Sequence, residues 1–321
     1  MREYFISWIE QYLFFPNIFQ RLIGVLLFPF TILYCVVISY KRISAKSYDF
    51  EIPVLSVGNL VVGGTGKTPI TIKIASKLDN VAVILRGYGR SSKGLFVVSK
   101  NGEILEDIET SGDEAMLLAK ALPNATVIVS INRIEAILKA KELGCKVVIL
   151  DDGYGHHDIG KFDILIRPKD EPTNLFCLPS GGYRDTKMMY SFAQLVLKDG
   201  EDFKRVVTFK NNNDKTIDNL PDNTVLLTAI SKANRLFEYL PEDLKTIIYP
   251  DHYNYTSDDI SSLYKKFGDD TNIITTKKDM VKLEKFNIKN IYVMDLSIET
   301  LNDKLSKAYD YIEKYNSNMV K

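Results

Sequence analysis

Gly63-Gly64-Thr65-Gly66-Lys67-Thr68 follows the apolar run Pro53-Val54-Leu55-Ser56-Val57 and precedes a stretch patterned as a helix. Strand, glycine loop and helix in that order make a phosphate cradle, because glycines let the backbone wrap until successive N–H groups point at phosphate oxygens. Lys67 then reaches the β- and γ-phosphates, and the Thr68 hydroxyl completes the shell of a Mg²⁺ ion. The common form of this loop has a glycine five positions before Gly66, where this chain has Val61. A chance glycine-rich loop reproduces half of the pattern, but glycines plus Gly-Lys-Thr between strand and helix point to a nucleoside triphosphate. Gly63, Gly64, Thr65, Gly66, Lys67 and Thr68 are therefore the expected nucleotide contacts.

Downstream, Lys146-Val147-Val148-Ile149-Leu150-Asp151-Asp152 is an apolar run ending in two adjacent carboxylates. A buried parallel strand reads as such a run, and ligands of open α/β sheets sit at strand C-termini. Asp-Asp-Gly is also good turn chemistry, so alone the run could simply end in a turn. With a phosphate loop upstream, the metal reading prevails: Thr68 with Asp151 and Asp152 form the expected Mg²⁺ set.

At 321 residues the chain can hold a full α/β domain and a smaller partner. Its 41 basic and 41 acidic residues cancel, so no global field draws it to nucleic acid. Cys35, Cys145 and Cys177 are scattered without metal-ligand spacing and read as reduced packing residues of a cytosolic protein.

The N-terminus departs from an ordinary soluble enzyme. Residues 22–40 carry no charge and are bracketed by Arg21 and by Lys41-Arg42. Nineteen residues at a helical rise come near the thickness of a bilayer core. The run does not read as a signal peptide, because some twenty residues precede it and no small-residue cleavage site follows. Pro29 sits mid-run, where it can kink the segment or keep it shallow. Tyr4, Phe5, Trp8, Tyr12, Phe14, Phe15 and Phe19 supply the aromatic surface of a membrane interface. The plainer alternative is a helix buried against the domain. Lys41, Arg42 and Lys46 place everything C-terminal on the cytoplasmic side.

Beyond this segment the pattern alternates. Helices are expected over 69–78, 113–122 and 131–143, with strands at 81–85, 126–129, 146–151 and 162–166 and a hairpin of 95–99 with 103–105 about Asn101-Gly102. This calls for a mostly parallel α/β sheet of P-loop type with helices on both faces. After residue 197 the texture changes. Residues 211–213 read as a linker or hairpin tip, and strands at 224–230, 246–249, 272–275 and 291–294 alternate with helices up to a final helix at 301–315. The expected division is a membrane-anchoring segment (1–46), a P-loop core (47–200) and a smaller α/β domain (201–321).

Four clusters remain. Arg86-Gly87-Tyr88-Gly89-Arg90 lies just past a strand end, and its arginines suit phosphate or carboxylate, although a plain solvated loop reads the same way. Ser111-Gly112-Asp113-Glu114 opens a helix, where Ser111 or Asp113 could simply cap it. Pro250-Asp251-His252-Tyr253 holds one of three histidines, as a structural pair or as a general base tuned near neutrality. His156-His157 lacks a third ligand for zinc.

Taken in order, these pieces resemble the tetraacyldisaccharide 4′-kinase (lipid A 4′-kinase) family. The resemblance rests on the phosphate loop through Pro69, Arg86-Gly87-Tyr88-Gly89, Gly112-Asp113-Glu114, Leu150-Asp151-Asp152-Gly153-Tyr154, Leu178-Pro179 with Arg184, Asp251-His252 and Thr276-Lys277-Lys278-Asp279. It runs from about residue 53 to 283, and Val61 fits it, since that family also lacks the first glycine. The chain departs at Gly155-His156, where the family has Gln before the His, and at His252-Tyr253, where it has two histidines.

The resemblance implies a P-loop kinase on the cytoplasmic face of a Gram-negative-type inner membrane. It would use ATP and Mg²⁺ to phosphorylate the 4′-hydroxyl of a tetraacylated, 1-phosphorylated glucosamine disaccharide, a glycolipid, giving lipid IVA. No nucleic acid and no obligatory protein partner are called for. Lys67 would hold ATP, and Arg184 and Arg86 would neutralise phosphate charge. Arg86, Tyr88, Arg184 and Asp251 would contact the substrate. Asp113, paired with His252 from the second domain, would accept the hydroxyl proton once the domains close. Two rivals are a membrane-associated P-loop ATPase switch, whose signature Lys is replaced here by Val62, and a membrane adaptor with a vestigial nucleotide fold, against which the intact Lys67, Thr68 and Asp151-Asp152 argue.

Overall fold

A computed structural model describes residues 2–230 and 233–319. Its contacts fall into two compact units. One comprises Met1–Ile74, Ile137–Lys204 and Thr300–Lys321; the other comprises Ala75–Ala136 and Arg205–Glu299. The sequence division at residues 46 and 200 follows chain order, whereas the contacts group 75–136 with 205–299.

In the first unit four strands pair in parallel, in the order Val147–Asp151, Val54–Asn59, Phe162–Arg167, Leu195–Lys198. The first two are buried at every position, which is why they read as unbroken apolar runs. Leu55 lies opposite Ile149 and Val57 opposite Asp151, so the carboxylate ends its strand beside the one that feeds the phosphate loop. The helix after the loop is Lys67–Ala75, starting two residues earlier than its apolar pattern. The Leu195–Lys198 strand is not legible in the sequence, where only four residues alternate between buried and half-buried.

The second unit holds strands in the order Glu103–Ile104, Phe96–Lys100, Thr126–Val129, Val81–Leu85. The last two are parallel, and Phe96–Lys100 runs antiparallel to both of its neighbours. A further sheet has the order Thr216–Ile217, Phe203–Asn211, Ile291–Thr300, Asn272–Thr276, Thr224–Thr228, Lys245–Ile248. The last four of these are parallel, as the alternation with helices requires. The polar stretch around 211–213 is a hairpin tip between Phe203–Asn211 and Thr216–Ile217. The helices Asp113–Ala121 and Lys277–Leu283 pack on each other here.

The apolar N-terminal run is one helix, Ile18–Ser44, with Pro29 inside it. Its start is a capping box: Asn17 Oδ1 accepts the Gln20 N–H, and Gln20 Oε1 accepts the Asn17 N–H. One narrow polar stripe docks it on residues 177–185 of its own unit. The Thr31 hydroxyl donates to Ser180 Oγ (2.8 Å) and accepts the Ser180 N–H (3.0 Å); Ser180 Oγ donates to the Gly24 carbonyl (2.8 Å). The Tyr34 hydroxyl donates to the Arg184 carbonyl (2.8 Å), and Arg42 pairs with Asp185. Gly24 lies at the crossing, where its carbonyl is close enough to accept from Ser180. The remaining faces are open: Leu22, Val25, Leu26, Phe30, Leu33, Val36 and Tyr40 are all exposed. The helix is long and apolar enough to cross a membrane by length and composition, and little of it is buried, unlike a core helix.

Candidate active site

The phosphate loop is built as its glycines demand. Gly63 and Gly66 both have φ of +93°, a conformation costly for any residue with a Cβ. Asn59, at the end of the incoming strand, braces the loop by donating to the Val61 carbonyl (2.7 Å), and its Oδ1 accepts from Lys67 Nζ (3.3 Å). Thr65 is buried with its hydroxyl unpartnered inside the protein. A buried hydroxyl without a partner in a glycine cradle matches a site that an anion completes.

The two aspartates point to different tasks. Asp151 is buried; the Thr68 hydroxyl donates to its Oδ2 (3.1 Å) and the Thr71 hydroxyl to its Oδ1 (3.3 Å). Asp152 has φ of +56° and turns outward, where Arg184 bonds both its oxygens (3.2 and 3.0 Å) and Lys67 Nζ lies 3.7 Å away. Gly153 follows because a Cβ there would come 2.4 Å from Leu150 Cβ. Among the described residues no group of three or more His, Cys, Asp or Glu could cage a metal. The donor set of Thr68 with one or two carboxylates instead suits Mg²⁺, which keeps waters and takes the rest of its shell from phosphates.

In the second unit Asp113 opens the Asp113–Ala121 helix, and the reading of it as a cap is not what is found: Gly112 occupies the cap position, with φ of +85°. Ser111 donates to the Asp107 carbonyl instead. Asp113 is buried; its Oδ1 accepts the Glu114 N–H (2.9 Å), and its Oδ2 lies 3.0 Å from His252 Nδ1. His252 sits in a turn at φ of +60°, and its Nε2 is 3.6 Å from Asp251 Oδ2. The ring of Tyr88 stands 5.6 Å from the imidazole, tilted by 48°. Gly89, at φ of +77°, packs beside the His252 ring at ordinary contact distance. Arg86 is exposed.

Burial pushes the Asp113 carboxyl up, but the His252 hydrogen bond and the Lys278 and Lys282 charges outweigh it and leave it below the ordinary value. The same bond to Asp113 raises His252 above its ordinary value, against burial and Lys278. The proton of the pair thus belongs on the imidazole. His157 shifts the other way: burial lowers it, with Lys161 and Arg42 adding to the effect.

The structure corrects one expectation. Asp113 and His252 belong to the same compact unit and already touch, so no closure of one domain on another is needed to assemble the pair. Lys278 and Lys282 both lie beside Asp113; the sequence shows Lys278 only as part of a motif with no role attached, and nothing in it singles out Lys282. Asn59 and Thr71 gave no signal either; a brace and a second hydroxyl on a buried carboxylate have no pattern of their own.

The family profile described as Tetraacyldisaccharide-1-P 4'-kinase (LpxK) matches residues 23–312. The chain belongs to this family. It is 56% identical over 316 residues to a tetraacyldisaccharide 4'-kinase of Aliarcobacter butzleri, covering 98% of this chain and 100% of that one. It is 39% identical to one of Helicobacter pylori strain J99, covering 97% and 96%. The crystal structure of LpxK from Aquifex aeolicus in complex with ATP superposes with a TM-score of 0.73 at 26% identity, over 91% of this chain and 99% of that one. The fold is that of a P-loop kinase, as expected from the phosphate loop.

Proposed function

We propose that this chain transfers the γ-phosphoryl group of ATP to the 4′-hydroxyl of tetraacyldisaccharide 1-phosphate, the step that yields lipid IVA in lipid A synthesis. The observation that carries this reading is a kinase relationship running nearly the whole length of the chain, with Lys67, Thr68 and Asp151 intact, the Thr68 hydroxyl bonded to Asp151 and Lys67 beside Asn59 and Asp152. Decay to a vestigial adaptor would not preserve that set, and membership in a lipid kinase family disfavours the ATPase switch.

Phosphoryl transfer asks for position and charge more than covalent chemistry. In this reading the loop amides and Lys67 hold the β- and γ-phosphates. Thr68, with Asp151 behind it and Asp152 beside it, would hold Mg²⁺, which supplies charge neutralisation at the transferring group. Arg184 is kept near the loop by its N–H bond to the Leu60 carbonyl (2.6 Å) and adds a second cation. The Asp113–His252 pair takes the hydroxyl proton, with Tyr88, Arg86 and Asp251 as substrate contacts. The test is purified protein with γ-labelled ATP and tetraacyldisaccharide 1-phosphate in detergent. Label should move to the lipid fraction; release of phosphate at the same rate with and without lipid would favour the switch.

The exposed apolar faces of Ile18–Ser44 would lie in the cytoplasmic leaflet, giving access to an acceptor that stays in the membrane. Deleting the segment would also remove the Tyr34 and Arg42 contacts, so charging its open face is the cleaner experiment. Leu26→Glu, Phe30→Glu and Leu33→Glu together should abolish co-flotation with phospholipid vesicles while melting and ATP affinity hold. Unchanged flotation would place the anchor elsewhere.

A further inference from the structure

Lys278 is spaced evenly among three carboxylates from two other segments of the second unit, the start of the Asp113–Ala121 helix and the turn at Asp251. Its Nζ lies 3.6 Å from Asp113 Oδ2, 3.6 Å from Glu114 Oε1 and 3.6 Å from Asp251 Oδ1. The side chain is mostly buried, at 19% exposure. We infer that Lys278 is a positioning residue for the Asp113–His252 pair, its ammonium balancing three carboxylates so that the pair is free to take up a proton at neutral pH. The inference rests on the reading of that pair as the proton acceptor of the kinase.

The charges around the pair single out Lys278. Lys282 also approaches Asp113 (3.8 Å), but it is nearer Asp279 (3.3 Å) and almost wholly buried. Asp279 in turn accepts from the Thr228 and Thr276 hydroxyls (2.7 and 2.9 Å) and from the Ala229 N–H (3.1 Å), so Lys282 belongs to a fixed core network. Tyr88 faces the imidazole as a neutral ring, and Arg90 is turned to the Gly94 carbonyl and the Phe96 ring. Asp251 and Glu114 each add negative charge within reach of His252 or Asp113. Without Lys278 the neighbourhood would hold Asp113, Glu114 and Asp251 against Lys282 alone, and uptake of a proton by the pair would make up the balance.

Lys278 itself stays charged, because the three carboxylates and Asp279 raise it despite burial. It opposes protonation of both members of the pair. The sign is therefore definite: removing the ammonium keeps the pair protonated to higher pH, so that a base needed for transfer is absent where the native enzyme has it. A lysine that only ties the 250–253 turn to the two helices would instead change stability and leave the titration where it was.

The chain has three histidines, so imidazole C–H resonances can be followed through a pH titration of the whole protein. In Lys278→Met and Lys278→Gln the His252 midpoint should move up by on the order of one pH unit, the size of a lost neighbouring charge. Because the members are coupled, this midpoint belongs to the pair. Lys278→Arg should restore it. The acid limb of kcat should move with it, giving about a tenfold loss below the native midpoint and about full activity well above the shifted one. An unmoved midpoint in either neutral variant, with native melting, overturns the inference. A midpoint that moves while the kcat limb does not supports the role of Lys278 and overturns the pair as proton acceptor.

Discussion

Lys67→Ala should lower kcat about a hundredfold or more, the usual cost of deleting one preorganised electrostatic stabiliser in a water-poor site. Lys67 is the first residue of its helix and is mostly buried; Asn59 and Asp152 both lie within 4 Å of its Nζ. In that position the ammonium is aimed before nucleotide arrives, so little reorganisation is needed when charge develops on the transferring group. The apparent KM for ATP should rise less than kcat falls, because the charge on the γ-phosphoryl oxygens and leaving group is redistributed only in the transition state. Melting should change little, since the side chain makes one hydrogen bond and one long ion pair. Steady-state kinetics with a melting curve check all three points, and near-normal turnover would contradict the phosphate-loop assignment.

Asp113→Asn and His252→Gln should each cut kcat with little change in the KM for ATP, and the double variant should lose far less than the product of the two. Residues that act as one unit behave this way. The carboxylate cannot be replaced by a solvated substitute, because Asp113 is buried and its Oδ2 meets the imidazole at 3.0 Å. The pH dependence has a definite sign. His252 is raised by its bond to Asp113, so the unprotonated pair is lost as pH falls through a value above the ordinary histidine one, and kcat should fall on that acid side. In His252→Gln this limb should vanish. If the two residues served only the fold, both changes would lower the melting temperature, and their rate effects would multiply as independent sites do.

What the sequence made legible was local. The phosphate loop, its strand and its helix are adjacent in the chain, and their glycine and apolar signals cannot be met by another structure at comparable cost. The strand ending in Asp151 was readable for the same reason, since a strand buried on both faces has no polar alternation to confuse it. Contacts between distant residues left no such trace. Asp113 and His252 are 139 positions apart, and only resemblance to a family joined them. The grouping of 75–136 with 205–299 was hidden by the same distance. In the apolar helix, Thr31 and Tyr34 passed as ordinary members of a membrane-like run, because their partners Ser180 and Arg184 lie about 150 positions on. The strand Phe203–Asn211 escaped because nearly all of its side chains are only half-buried and its sequence carries little alternation. Lys278 was visible as a letter in a motif; its meaning depends on three carboxylates that no spacing predicts.

The most direct measurement is where the phosphate goes. Purified protein with ATP, Mg²⁺ and tetraacyldisaccharide 1-phosphate should yield a bisphosphorylated lipid whose new phosphorus couples, in a phosphorus–proton correlation spectrum, to the proton on carbon 4′ of the distal sugar. Lys67→Ala should give only a trace of it. A product phosphorylated at any other hydroxyl, or inorganic phosphate with the lipid unchanged, would contradict the account.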